Sequence, residues 1–362
     1  RWGTLRAPSF SEKERPLRIS ATSLVVFLRE HVVLVVAAVA AAASALVVPP
    51  DEAYLGYFDW KTLGCLFCVL AVASALRLMG AFDRAARAVI ARFRSPGPLA
   101  LALVLTTAAL SCVATNDMAL IMMLPLSAAT LIGAGHARLV APVFVLQSLA
   151  ANLCGMIMPF GNPQNLYLYG LAGISAGRFV LLMLPYTVAS AALLVICVIV
   201  CMKGKNRQLE IRLSGSDIQV NRKLVGIYSI LFVLSLLTVA RIVPYWVTFA
   251  VVLVVVLICQ RRLLLKVDYS LIFTFVGFFV FIGNMGRIDG FRTFVESVLG
   301  GHEMITSVLA SQVISNVPAA VLLSGFTDKY TDLIVGTNLG GLGTLIASMA
   351  SLISFKYVAR QD

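Results

Sequence analysis

The chain has 362 residues, 60% of them hydrophobic and only 13% charged, with a mean hydropathy of +0.93. That balance excludes an ordinary soluble domain, and continuous runs such as VVLVVAAVAAAASALVV (32–48) and VTFAVVLVVVLIC (247–259) exclude a barrel of short alternating strands. A net charge of +12 carried by loops between apolar runs reports membrane topology, not a nucleic-acid partner. The fold class expected is an all-α polytopic membrane protein.

Residues 1–30 are basic and polar, without the apolar core or cleavage site of a signal peptide, and are expected in the cytoplasm. The chain does not begin with Met, so the natural start is expected upstream. Arg29 and Glu30 read as an interfacial pair. Full spans are predicted near 31–49, 59–80, 138–168, 177–202, 222–241, 244–260, 268–288 and 331–357. The segments 97–133 and 303–327 are apolar but interrupted by polar residues midway, and are expected to be re-entrant helical hairpins. The basic stretch 203–221 reads as a cytoplasmic linker, and His31, His136 and His302 fall at predicted span or hairpin ends. Seven scattered cysteines, including the close pair Cys65 and Cys68, read as helix packing, as do Gly170, Gly173, Gly177 and Gly277.

The two halves resemble each other. FDWKTLGCLFCVLAVASALRLMGAF (58–82) aligns with VDYSLIFTFVGFFVFIGNMGRIDGF (267–291), pairing Asp59 with Asp268. Amphipathic stretches follow at 82–95 and 290–300, and then the hairpins, where ATNDMA (114–119) aligns with ISNVPA (314–319). Farther on, NLCGMIMPFGNPQNL (152–166) aligns with NLGGLGTLIASMASL (338–352), Asn152 on Asn338 and Gly155 on Gly341. Four full spans between the segments 31–49 and 244–260 make those partners antiparallel, so the repeat is expected to be inverted. The divisions expected are a cytoplasmic segment 1–30, a first inverted repeat 31–176 with its hairpin 97–133, connecting spans and loop 177–243, and a second inverted repeat 244–362 with its hairpin 303–327. Of the 29 basic residues, only Lys61, Arg178, Arg241, Arg287, Arg292 and Lys329 then face away from the N-terminal side. Both termini are therefore expected in the cytoplasm of a cell that carries the protein in its plasma or inner membrane.

Interrupted spans in an inverted repeat are the plan of secondary transporters, which bind cargo and coupling ions near the midplane at the breaks. Gly lets the backbone leave helical geometry, Pro frees a carbonyl, and a restarting helix presents a positive end that holds anions without Arg or Lys. The expected substrate-binding residues are Thr115, Asn116, Asn162, Gln164, Ser315, Asn316 and Thr344. The expected ion-coupling residues are Asp117, Asn152, Gly155, Asn338 and Gly340, with no metal beyond Na+ at these positions. An intramembrane carboxylate such as Asp117 is costly and is a functional candidate; it could bind Na+ or carry a proton. Its counterpart in the other half is Val317. No nucleophile with a base and no metal cluster stands at membrane depth, so the chain is not expected to be an enzyme, and paired broken helices suit alternating access better than a continuous pore.

TNDMALIMMLPL, QSLAANLCGMIMPFGNPQNL, SQVISNVPAAVLLS and NLGGLGTLIAS resemble the ion transporter superfamily, in its arsenical-pump, citrate-transporter-like and sodium/proton antiporter branches, with divalent anion and sodium symporters as more distant relatives. The resemblance spans 59–357. It implies a scaffold and a transport subdomain, a homodimer, an elevator-like movement, and interfacial arms at the two amphipathic stretches. Thr115, Asn116, Ser315 and Asn316 match the family's hairpin-tip positions, and Asn152 and Asn338 its N-L-G-G breaks, the first reading NLCG here. The function expected is transport of a small anion, a carboxylate first, coupled to Na+ or H+, in a lipid bilayer and with no bound cofactor other than Na+ as coupling ion. The alternatives are a sodium/proton antiporter and an arsenite or oxyanion efflux permease.

Overall fold

The structure, a computed structural model, describes residues 31–93, 95–203 and 221–359. The expected segment 1–30, the Arg29 and Glu30 pair, and residues 204–220 of the expected linker lie outside the described residues. All regular elements among those described are helical: α1 (Val32–Val47), α2 (Trp60–Leu78), α3 (Ala81–Ile90), α4 (Pro96–Val113), α5 (Asn116–Gly133), α6 (Val140–Gly155), α7 (Pro163–Ala172), α8 (Ala176–Met202), α9 (Arg222–Val239), α10 (Tyr245–Gln260), α11 (Tyr269–Met285), α12 (Asp289–Leu299), α13 (Glu303–Ile314), α14 (Asn316–Ser324), α15 (Tyr330–Gly340) and α16 (Met349–Ala359). Seven helices among the described residues are long and apolar enough to cross a membrane, or eight when the bent pair α11 and α12 is taken as one span. The chain is a multi-pass membrane protein.

Local chemistry accounts for the boundaries. Asp59 caps α2 by accepting the Thr62 N–H at 3.0 Å, and Asp268 caps α11 by accepting that of Ser270 at 3.1 Å. The aspartates aligned in sequence thus do the same structural task. Pro96 and Pro163 stand in the first turns of α4 and α7, where a missing N–H costs nothing. The span expected at 138–168 is interrupted between α6 and α7, and that expected at 331–357 between α15 and α16.

The segments 97–133 and 303–327 each double back. Gln147 on α6 donates from one amide nitrogen to Thr107 Oγ1 on α4 and to Ser127 Oγ on α5, both at 2.8 Å, so these two helices run side by side away from residues 114–115. In the second segment, buried Glu303 at the start of α13 meets Lys329 Nζ at 3.2 Å and Thr327 Oγ1 at 3.4 Å, beyond the end of α14. The segments differ in reach. Each arm of the first has 18 residues, enough by length to cross a bilayer, whereas those of the second have 12 and 9.

The amphipathic stretches are α3 and α12. α12 leaves α11 at 106°, and the corner is braced from α1 and the chain after it: Arg287 contacts Asp51 at 2.7 Å and Tyr57 OH at 3.2 Å, while Asn284 donates to Tyr54 OH at 2.8 Å and to Ser44 Oγ on α1 at 3.0 Å. Helix α2 is buried continuously from Thr62 to Leu76 and forms the centre of one apolar core; α4, α5 and α6 with parts of α8 and α16 form another. Gly277 packs as expected, since a Cβ there would stand 3.0 Å from the Ala37 backbone. Gly173 instead ends α7 at φ +67°, with nothing near its would-be Cβ, and Gly177 also faces open space. The reading of those two as packing glycines is therefore corrected.

Candidate functional site

The turn of the first doubled segment meets the gap between α6 and α7. Thr115 caps α5 through the Met118 N–H at 3.4 Å, and Asn116 then donates its backbone N–H to the Gly161 carbonyl at 3.1 Å. Its side chain accepts the Asp117 N–H at 2.9 Å and donates to Asn152 Oδ1 at 3.0 Å. Asn152 passes the chain on, donating to Ser348 Oγ at 3.1 Å in the gap between α15 and α16. Gly155 lets this gap approach the first doubled segment, for a Cβ there would lie 3.2 Å from Ser111. Within the gap, Asn165 on α7 donates to the Met156 carbonyl at 3.2 Å.

The second turn repeats the backbone contact. Asn316 donates its N–H to the Ala347 carbonyl at 2.9 Å, and its side chain accepts the Val317 N–H at 2.9 Å. Gly161 and Ala347 are matched positions in the alignment of the two halves, as are Asn116 and Asn316. The preceding residue differs: Ser315 holds φ +77° and ψ +153°, a region reserved almost entirely for glycine, and makes no capping bond. Its Oγ reaches the Ala347 carbonyl at 3.4 Å.

The two gaps are also tied to each other. Asn338 accepts from Asn162 Nδ2 at 3.0 Å and donates to Asn165 Oδ1 and to the Ile334 carbonyl. Asn116, Asn152, Asn162, Gln164, Asn165, Ser315, Asn316, Asn338 and Ser348 are all buried. Thr115, Asn116, Asn152 and Gly155 are thus brought together with Ser348, and Asn162 with Asn338. Ser315 and Asn316 join the second gap. Gly340 and Thr344 are held by Gln312 instead of by the asparagine network, and Thr344 is exposed.

Four buried polar atoms here have no hydrogen-bond partner among the described residues: Asp117 Oδ1, Asn162 Oδ1, Gln164 Nε2 and Ser148 Oγ. A buried group without a partner is costly, more so a carboxylate oxygen. The set holds acceptors, donors and a hydroxyl, and no Lys or Arg, which is a donor set for a hard cation or for a neutral or charge-compensated ligand. Asn165, Ser148 and Gln312 are not among the residues expected from sequence, whereas Ser348 is expected as one of those that loosen the second break. Asn165 could be found from its place in GNPQN, directly after Gln164; Gln312 carries only the signal of an amide three residues before the second turn.

A family profile described as citrate transporter matches residues 24–331, which include both doubled segments and end before the second gap. The transporter MJ0456 of Methanocaldococcus jannaschii is 29% identical over 302 residues, covering 82% of this chain and 81% of its own. The inner membrane protein YbiR of Escherichia coli is 29% identical over 305 residues, covering 82% and 80%. A 46 kDa membrane protein of Mycobacterium leprae is 24% identical over 336 residues, covering 82% and 77%. With the profile running through most of the chain and through most of the buried amides just described, the chain belongs to the citrate transporter family within the ion transporter superfamily.

Proposed function

We propose that the protein is a secondary transporter of a small anion, a carboxylate first, coupled to Na+ or H+ through Asp117. On this reading the doubled segments are re-entrant hairpins, the interrupted helices are broken spans of an inverted repeat, and cargo binds where the breaks meet. The observation that carries it is the buried network joining both breaks while leaving Asp117 Oδ1, Asn162 Oδ1 and Gln164 Nε2 without partners. Such a site is complete as a scaffold and incomplete as a set of hydrogen bonds, and a ligand would supply what is missing.

Support for the repeat comes from the shared bond of each turn to its own break, Asn116 N–H to Gly161 and Asn316 N–H to Ala347. α3 and α12 are suited to be arms between a scaffold built on α2, α10 and α11 and a moving part that contains both hairpins, with a homodimer as the assembly. With no basic side chain in the network, a polyanion would need its charge compensated by the coupling cation, which fits symport through Asp117.

The test is internal pH and radiolabelled citrate uptake in proteoliposomes containing the wild type or Asp117→Asn. Citrate uptake that depends on Na+ or on a proton gradient, and is lost in the variant, is the expected result. Alkalinisation by external Na+ alone, without any carboxylate, would replace this reading with sodium/proton antiport.

A further inference from the structure

The two breaks are held in different ways, and Gln312 is the reason. In the first, the freed carbonyl of Met156 is taken by Asn165, a residue of the helix that follows the break, and the Gly161 N–H returns to the Met158 carbonyl at 3.1 Å. From the hairpin come the Asn116 contact to Gly161 and Cys112 Sγ, which reaches the Cys154 carbonyl at 3.3 Å; the other bonds lie within the break and the helix after it.

The second break takes its support from the hairpin. Half-buried Gln312, one turn before Ser315 on α13, donates its amide nitrogen to the Gly340 carbonyl at 2.7 Å and accepts the Thr344 N–H on its amide oxygen at 3.0 Å. Its own carbonyl accepts the Thr344 hydroxyl at 2.9 Å. A carbonyl on one side and an N–H on the other allow only one orientation of the amide, so the assignment of its oxygen and nitrogen is determined by the partners. Gly343, at φ +121°, lies so close to this side chain that a Cβ would collide with Gln312 Oε1. The interruption frees the Gly340 carbonyl and the Thr344 N–H from helical pairing, and for both the partner is one side chain of the neighbouring hairpin.

We propose that Gln312 is a positioning residue that sets the shape of the second break and couples it to the second hairpin, so that the hairpin cannot swing away without releasing the Gly340 and Thr344 backbone. Gln312 is not itself a ligand for cargo. The matching position on the first hairpin is Cys112, whose thiol reaches the Cys154 carbonyl at 3.3 Å, so the first break depends on its hairpin through that thiol contact and the turn contact, without an amide that also accepts a backbone N–H. The inference rests on the transporter reading above only for its effect on transport; the coupling itself is a statement about backbone protection.

The experiment therefore has two arms on the protein in lipid nanodiscs or proteoliposomes, with wild type, Gln312→Met, which keeps length and loses both bonds, and Gln312→Glu, which keeps the acceptor for Thr344. In hydrogen–deuterium exchange, the Thr344 amide is expected to exchange about tenfold faster in Gln312→Met, the worth of about one net hydrogen bond, and close to the wild-type rate in Gln312→Glu. In citrate uptake, Gln312→Met is expected to raise KM about tenfold with kcat within about twofold. Unchanged exchange in Gln312→Met overturns the proposal, and so does a fall in kcat at unchanged KM. A wild type that does not carry citrate overturns the substrate reading instead, and the exchange arm still decides the role of Gln312.

Discussion

The turns of the two doubled segments make the same contact with different chemistry. Asn116 and Asn316 each donate a backbone N–H to a break carbonyl and each accept the next N–H on the side-chain oxygen. Around that shared frame, the first turn carries a carboxylate, Asp117, behind a relaxed cap at Thr115 with φ −85°. The second carries Val317 behind Ser315 at φ +77°. One turn carries an ionisable group and the other carries backbone strain. A frame made of backbone bonds tolerates this divergence, because those bonds do not depend on which side chain follows the asparagine.

The largest effect expected in breaking this comparison is at the charged turn. Asp117→Asn is expected to lower coupled uptake about a hundredfold or more while thermal unfolding in nanodiscs stays near that of the wild type. An uptake rate within about threefold of the wild type would remove Asp117 from the coupling role. Next comes the joint between the breaks. Asn338→Ala strands Asn162 Nδ2 and Asn165 Oδ1 together, and is expected to cost about 2–4 kcal/mol, read as a lowered unfolding temperature. Asn152→Ala strands Asn116 Nδ2 but is expected to cost less than Asn338→Ala, because its other partner, Ser348, also contacts the Ser351 hydroxyl at 3.2 Å.

Gly161 and Ala347 offer a smaller and cleaner contrast, since both carbonyls accept the same bond but only Ala347 has a Cβ. At Gly161 a Cβ would run into the Gly155 carbonyl, so Gly161→Ala is expected to destabilise by about 1–3 kcal/mol, measured in the same unfolding assay. The smallest effect sharpens the strain argument through opposite signs. Ser315→Gly is expected to stabilise by about 1 kcal/mol, and Thr115→Gly to destabilise by a few tenths through loss of its cap. The same sign at both sites would mean that Ser315 bears no strain.

Much of this arrangement is legible in the amino-acid sequence alone. Gly, Pro and Asn clustered together inside apolar runs mark an interruption where single ones do not, which is why both breaks, both turns and Asn152, Asn162, Asn316 and Asn338 can be named from the chain. Asp59 and Asp268 are visible as a pair because caps act within one turn of helix. What stays hidden depends on which helices lie side by side. Gln312 reaches Gly340 across 28 residues and Asn338 reaches Asn165 across 173, and no local pattern announces such partners. The sequence assigns Thr344 to the right break, but its hydroxyl points back to Gln312. The arms of the first hairpin are each as long as a span, so their length alone does not separate a hairpin from two crossings.

The bonds between the breaks also bear on how the chain is made. Asn152 finds Ser348 only 196 residues later, and Asn162 finds Asn338 after 176. At about 5–20 residues per second, synthesis leaves these two bonds between the breaks unmade for roughly 10–40 seconds. During that interval Asn152 and Asn165 have the partners the first half itself provides, Asn116 and the Ser148 and Met156 carbonyls, and lack those of the second break. Its folding is completed by the arrival of the last two helices, so a chain cut short before residue 338 has all of its first hairpin and none of its closure.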